Sequence, residues 1–242
     1  MSRFQLILPF LCLLVSGCMS GTDDSAPPTL QAMKEAERLA SGAGDPSDTD
    51  RFAAPPADVP LSGVFQVEFM TTEGKFLVEV NREWAPIGAD RFYKLVQDRF
   101  FDDAGFFRFV PGFVVQFGLP ADPEKNAKWS ETLMDEPVLH SNERGYLTFA
   151  KTNRPNSRTT QLFISYGGNR MLDGQGFSPF GRVVEGMDVV DKLNAEYGEK
   201  PQQHLITSQG NAYLNTRFPN LSYIQTARVI KDDLADATTP TE

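Results

Sequence analysis

Beyond residue 62 the chain never holds one backbone period for long, and this limits its fold more than any other feature. GVFQVEFM (63–70) and KFLVEV (75–80) alternate apolar and polar residues around the turn-forming TTEG (71–74). Strand side chains alternate between faces, so this is a hairpin pattern. Further short runs follow: FFRFV (106–110), GFVVQF (112–117), GYLTFAK (145–151), TQLFIS (160–165) and a closing YIQTARVIK (223–231). Two stretches have helical spacing instead. APIGADRFYKLVQDRFF (85–101) groups Phe92, Leu95 and Val96 with Pro86 near its start. EGMDVVDKLNAEYG (185–198) groups Met187, Val190 and Leu193 ahead of Gly198, a candidate C-terminal cap. Many short strands with two helices predict a mainly β fold, a closed antiparallel β-barrel with helices over its ends. No internal repeat is visible.

The first residues follow another logic. MSRFQLILPFLCLLVSGC carries Arg3, then an apolar stretch from Phe4 to Val15, then small residues. A membrane span needs about 20 residues, so residues 1–17 read as a signal peptide. LVSGC (14–18) resembles the lipobox of bacterial lipoproteins, which implies cleavage before Cys18 and lipid on its sulfur and new amino terminus. More than one acyl chain anchors durably where a single chain is marginal. The other cysteine, Cys12, lies within the signal, so the remaining chain has no disulfide framework. The expected location is the bacterial cell envelope, tethered to a membrane and facing the periplasm. Met19 after the cysteine points to the outer membrane in bacteria that sort by this position.

Residues 18–61 are rich in Ser, Gly, Asp, Ala and Pro, as in SGAGDPSDTD and AAPPADVP, and bury too little apolar surface to order themselves. They are expected to be a flexible linker, with LQAMKEAERLA (30–40) as a short helix within it. The domain proper is expected over 62–231, with a disordered acidic tail at 232–242. The formal net charge of −9 becomes −10 once Arg3 leaves with the signal. An acidic chain without a basic patch argues against nucleic-acid binding, because a phosphate backbone selects a basic surface.

Familiar catalytic groupings are missing. The two histidines, His140 and His204, have no ligand-like spacing, and no nucleophile elbow, phosphate loop or dinucleotide fingerprint occurs. No metal or other cofactor is called for. The anomaly lies in FFRFVPGFVVQFG (106–118), where Arg108 and Gln116 interrupt an otherwise apolar, Gly and Pro run. An arginine there is either structural, its stem packed and its head in water, or part of a site.

Three long stretches decide between these. FFRFVPGFVVQFG (106–118), GYLTFAKTNRPNSRTTQLFIS (145–165) and MLDGQGFSPFGRVVEGMDVVDKL (171–193) resemble the cyclophilin-type peptidyl-prolyl isomerases, in order and at family-like spacing. The resemblance extends over roughly 62–231 and implies an eight-stranded antiparallel barrel capped by two α-helices. It implies that Arg108 is the catalytic arginine and that Gln116 positions it and contacts the substrate backbone. It makes Phe113, Val114, Phe163 and Leu172 walls of the proline pocket and gives Met171, Phe177 and Gln161 as further substrate-binding positions. Ala150, Lys151 and Thr152 fall on the substrate-flanking strand, where the main chain of Lys151 is expected to matter more than its side chain. Taken alone, Phe113, Phe163 and Leu172 would be ordinary barrel core. The implied partners are proline-containing polypeptides, exported proteins in this setting, bound by a monomer.

The chemistry suits these residue types. Rotation about an X–Pro bond has a barrier of roughly 18–20 kcal/mol and needs no nucleophile. It needs an apolar grip on the ring and a donor that bonds the prolyl nitrogen as its lone pair localises. A guanidinium with fixed donors serves better than a mobile ammonium. The alternative is a non-catalytic module that only holds proline-containing chains in the same groove. Four positions depart from the family pattern. Met171 stands where many cyclophilins carry a tryptophan associated with cyclosporin binding, and Phe107 where histidine is common. LDGQGFSPFG is one residue longer than usual, so that Phe177 takes the place of a pocket histidine. QFGLPADPEKNAKW replaces a glycine-rich continuation.

Overall fold

The computed structural model describes residues 63–233, all within one compact unit. The signal peptide, Cys18, the linker with its 30–40 helix and the tail beyond Asp233 lie outside the described residues.

The alternating stretch at the start forms β1 (Val64–Thr71) and β2 (Gly74–Asn81), paired so that Thr71 faces Gly74 across the turn. The Thr71 hydroxyl donates to the Gly74 carbonyl at 2.7 Å and accepts from the Glu73 N–H, which closes it. Phe65, Val67 and Phe69 of β1 and Phe76, Val78 and Val80 of β2 are fully buried, as period-two alternation requires. The remaining strands are β3 (Arg108–Val110), β4 (Val114–Phe117), β5 (Tyr146–Phe149), β6 (Leu162–Ser165), β7 (Pro179–Glu185) and β8 (Ile224–Asp232). Among the described residues they make one antiparallel sheet in the order β3-β4-β6-β5-β7-β2-β1-β8, curled into a half-barrel. The order ends at β3 and β8. Between these ends the contact is an isolated bridge, Gly105 to Tyr223, flanked by bonds from Phe106 N–H to the Ser222 carbonyl and Ile224 N–H to that of Ala104.

The first predicted helix is present as α1 (Pro86–Gln97) and packs Phe92 against Phe65, Phe69 and Phe180. Its start is capped from a distance. Ile87 and Gly88 donate their N–H groups to the Glu136 carboxylate at 2.6 and 3.0 Å, satisfying donors that helical bonding leaves open. After α2 (Glu124–Lys128), the second predicted helix is much shorter than its pattern: α3 spans Met187–Val190 only. Asn194 stops it. Ser222 Oγ accepts the Asn194 backbone N–H, the Asn194 amide donates to the Asn220 carbonyl, and its side-chain oxygen accepts from Glu196 N–H. An asparagine held this way favours a turn over a helix. Two further helices, α4 (Gln203–Gln209) and α5 (Asn211–Arg217), were not foreseen, because seven residues each are too few to show a period. Gly210 joins them at φ +55°, and a Cβ there would sit 2.0 Å from the Ala121 carbonyl oxygen.

These helices create a second, smaller core of Phe107, Leu119, Ile206, Leu214, Phe218 and Leu221, separate from the one inside the curl. It accounts for two departures in the sequence. Phe107, 1% exposed, fills it, and the 119–128 segment packs on it, with Asn126 donating to the Thr207 carbonyl. At the C-terminus Asp232 belongs to β8 and not to a tail: it forms a two-pronged pair with Arg82, both oxygens at 3.1 Å.

Candidate functional site

Between β3 and β4 the chain turns through Val110-Pro111-Gly112-Phe113. Proline presets the first central φ, Gly112 takes φ +70°, and Phe113 N–H bonds the Val110 carbonyl at 3.0 Å. The turn fixes the register, and the register sets Arg108 directly opposite Gln116. Gln116 in turn faces Phe163 of β6, and Phe163 faces Thr148 of β5. Directly opposed residues share a sheet face. One face therefore carries a row of arginine, glutamine, phenylalanine and threonine across four strands.

The same parity explains the unbroken apolar run in β4. Val115 and Phe117 point into the curl and join the main core. Val114 and Gln116 point the other way, yet are 2% and 7% exposed, because a third cluster covers them: Val114, Phe163 and Leu172, with Phe113, Ala150 and Phe177 against it. A strand buried on both faces has no need to alternate.

That outer face holds a cavity of about 370 Å³, of a size that suits a small ligand or a few residues of chain. Arg108, Phe113, Val114, Gln116, Ala150, Lys151, Thr152, Gln161, Phe163, Leu172 and Phe177 all line it. Met171, alone among the substrate-contacting residues expected from the sequence, does not; it lies 62% exposed on the 3-10 turn Arg170–Gln175 and is not part of the apolar cluster. Ser157, Thr159 and Gln203 line the cavity too and went unanticipated. Gln203 comes from the start of α4, outside the stretches that carried the resemblance.

The polar groups are wired together. Arg108 NH1 donates to Gln116 Oε1 at 3.3 Å, and Gln116 Nε2 donates to Gln161 Oε1 at 2.7 Å. The other edge of the guanidinium meets Glu199, with Nε and NH2 at 2.7 and 2.5 Å from the same carboxylate oxygen. Glu199 is 91 residues from Arg108 in the chain, and no sequence signal singled it out. Lys151 is not idle either: its ammonium, on an 11% exposed side chain, sits 3.3 Å from Asp135 and 5.7 Å from the Phe177 ring centre. Thr152 N–H and hydroxyl both donate to Ser157 Oγ, whose own proton goes to the Arg154 carbonyl.

The apolar walls are held by two buried asparagines that sequence reasoning missed. Asn169 donates to the Phe113 carbonyl at 2.9 Å. Asn142, fully buried, donates to the Phe177 carbonyl at 2.9 Å and to Asp173 at 2.7 Å, and accepts from the Thr148 hydroxyl. Burial raises the pKa of the Asp173 carboxyl, but hydrogen bonds from Ser141 and Asn142 outweigh it and hold the group below the usual carboxylate range. Among the described residues no three His, Cys, Asp or Glu side chains come together in a way that could hold a metal ion. The arrangement is an apolar pocket with two cationic side chains in its lining, Arg108 paired with Glu199 and Lys151 paired with Asp135.

Residues 66–211 match the family model described as cyclophilin type peptidyl-prolyl cis-trans isomerase/CLD. A peptidyl-prolyl cis-trans isomerase of Acinetobacter baylyi is 34% identical over 132 residues, covering 52% of this chain and 70% of that protein. Peptidyl-prolyl cis-trans isomerase B of Escherichia coli is 32% identical over 135 residues, covering 52% and 82%. A crystal structure of a Cryptosporidium parvum cyclophilin type peptidyl-prolyl cis-trans isomerase overlays with a TM-score of 0.54 at 20% identity, covering 69% of this chain and 98% of that one. A second structure of that protein, in the presence of the dipeptide Ala-Pro, overlays at 0.53. At such identity the two structures speak for the fold.

Proposed function

The chain belongs to the cyclophilin-type peptidyl-prolyl cis-trans isomerase family and catalyses rotation about X–Pro bonds; on that premise we propose that Arg108 lowers the barrier and that the apolar walls hold the proline ring. In a planar X–Pro amide the nitrogen lone pair is shared with the carbonyl, which gives the bond its double-bond character. Twisting returns the pair to nitrogen. An N–H aimed at that nitrogen bonds the twisted state better than the planar one, which is the condition for acceleration. Phe113, Val114, Phe163, Leu172 and Phe177 remove water from the ring and from the donor, and a hydrogen bond is stronger in a drier setting. Gln116 holds the guanidinium on one edge and offers its amide to the client backbone. The observation that carries this reading is the placement of Arg108 beside the apolar cavity, opposite Gln116 in the β3–β4 register. The Ala-Pro dipeptide used with the related Cryptosporidium protein supports X–Pro clients here.

Arg108→Ala tests it on a short X–Pro peptide. The variant should fall in kcat/KM by about 10²–10³-fold, the usual loss for a removed transition-state donor, while still binding peptide. Equal rates would remove Arg108 from the mechanism.

The same reading extends to the cell. The chain is a monomer of four parts: signal peptide 1–17, linker 18–61, isomerase domain from 62 to the end of β8, and a short acidic tail. Cys18 carries the lipid, and the linker holds the domain off a periplasm-facing membrane, the outer one, where it serves exported clients. The support is the LVSGC stretch and the composition of 18–61. Cys18→Ser should move the protein from the membrane to the soluble fraction; unchanged membrane association refutes lipidation.

A further inference from the structure

We propose that Glu199 is a positioning residue for the isomerisation: it grips the outer edge of the Arg108 guanidinium and sets which N–H groups face the proline. This rests on Arg108 being the catalytic donor. The hydrogen-bond lengths decide which neighbour does the positioning. Gln116 accepts from NH1 at 3.3 Å, longer than the usual 2.7–3.2 Å range for such a bond. Glu199 accepts from Nε–H at 2.7 Å, a charge-assisted bond, and the same oxygen lies 2.5 Å from NH2 as an ion pair. The Arg108 side chain is 31% exposed, so packing alone does not hold its head in one orientation. A long arginine freed at that edge would sample other rotamers.

Glu199 is itself held in place, although its side chain is 59% exposed. The residue before it, Gly198, takes φ +55°, and its carbonyl accepts Phe109 N–H from β3 at 2.9 Å. Tyr197 stacks edge-on against Phe218 in the second core, 5.1 Å between ring centres, and its hydroxyl accepts from Asn220 N–H. The carboxylate is thus delivered by a segment tied to the strand next to Arg108 and backed by α4 and α5. Its hydrogen bond occupies Nε–H, its ion pair lies along the NH2 edge, and Gln116 takes one N–H of NH1. The terminal N–H groups that these hydrogen bonds do not use are the donors left for the prolyl group. The second core gains a role in this way, as the support of the arginine's orientation.

The test uses the full chain and a short X–Pro peptide, with kcat and KM measured separately for wild type, E199A, E199Q, R108A and the double variant R108A/E199A. A displaced catalytic group can cost up to about 100-fold; loss of one of two holding contacts should cost E199A about tenfold in kcat, with KM within about twofold. E199Q keeps an oxygen that can accept from Nε–H and should recover most of the rate. In the R108A background E199A should change nothing, because the group it positions is gone. The Nε–H resonance of Arg108, slow to exchange in wild type, should exchange fast in E199A. Melting curves close to wild type are expected, since Glu199 lies outside every core. Four results would overturn the proposal: E199A as fast as wild type or faster, E199Q as slow as E199A, an equal loss in the R108A background, or an Arg108 Nε–H that exchanges alike in both proteins. Wild-type activity in R108A is a separate result, which removes the reading of Arg108 itself.

Discussion

Replacing Arg158 by methionine should destabilise the domain far more than the loss of an ordinary salt bridge. Its side chain is 2% exposed and that of its partner Glu136 is 4% exposed. Arg158 NH1 donates to Glu136 Oε2 at 2.8 Å, and NH2 donates to the Met134 carbonyl. The same Glu136 carboxylate caps α1 through Ile87 and Gly88. Arg158→Met leaves that carboxylate buried with helix N–H groups and no countercharge. Removing one partner of a buried pair costs about 3–5 kcal/mol, against roughly 0–1 kcal/mol at the surface. For a domain of this size each kcal/mol lowers the melting midpoint by about 2–4 °C, so a fall of roughly 6–20 °C follows. Urea unfolding at pH 7 should show the loss as a lower midpoint with an unchanged slope. The double variant R158M/E136Q removes the stranded charge while its amide oxygen can still accept at the helix, and should recover about 1–3 kcal/mol. An R158M variant within about 1 kcal/mol of wild type would refute the reasoning, as would a double variant whose losses simply add. The site is involved as well: Arg158 lies between Ser157 and Thr159, which line the cavity, and its carbonyl accepts Leu133 N–H at 2.8 Å.

Phe163→Ala should remove a wall of the cavity; losing about 2 kcal/mol of apolar contact is about 30-fold in kcat/KM on an X–Pro peptide, and an unchanged value would take the ring out of the site. Asp173, with its lowered pKa, contributes stability fully above the unfolded value of about 3.9 and loses it as pH falls through the lower folded value. Domain stability should therefore decline as the pH is lowered below about 4, and D173N should melt at a lower temperature already at pH 7; a D173N variant as stable as wild type there would contradict this. Gly112 and Gly210 both have positive φ, but a Cβ at Gly112 meets open space and one at Gly210 meets the Ala121 oxygen. Alanine should cost about 1–2 kcal/mol at Gly112 and clearly more at Gly210, read from thermal unfolding; equal losses would mean that the Ala121 approach does not matter.

Much of this was legible along the chain. The alternation of 63–80 became β1 and β2, and the spacing of Phe92, Leu95 and Val96 became the buried face of α1. Arg108 and Gln116 stood out because each polar side chain broke an apolar run, and both line the cavity. The 185–198 stretch misled, since its apolar spacing is helical but Asn194 is captured by Ser222 and Asn220 from the far end of the domain. Glu199, Asn142 and Asn169 carried no signal, because each acts through a contact that exists only once distant segments meet.

The sequence by itself determined the local terms: where the backbone alternates, where Pro-Gly must turn, which side chains seek burial, and which polar residues sit among apolar ones. These depend on neighbours a few positions away. Only the tertiary structure decided that β4 would be buried on both faces, that Met171 would lie exposed, and that a glutamate 91 residues away would hold Arg108. Register sets the first outcome, since a one-residue slip moves every side chain of a strand to the other face; the other two depend on segments outside the sheet, brought to it by the packing of distant chain.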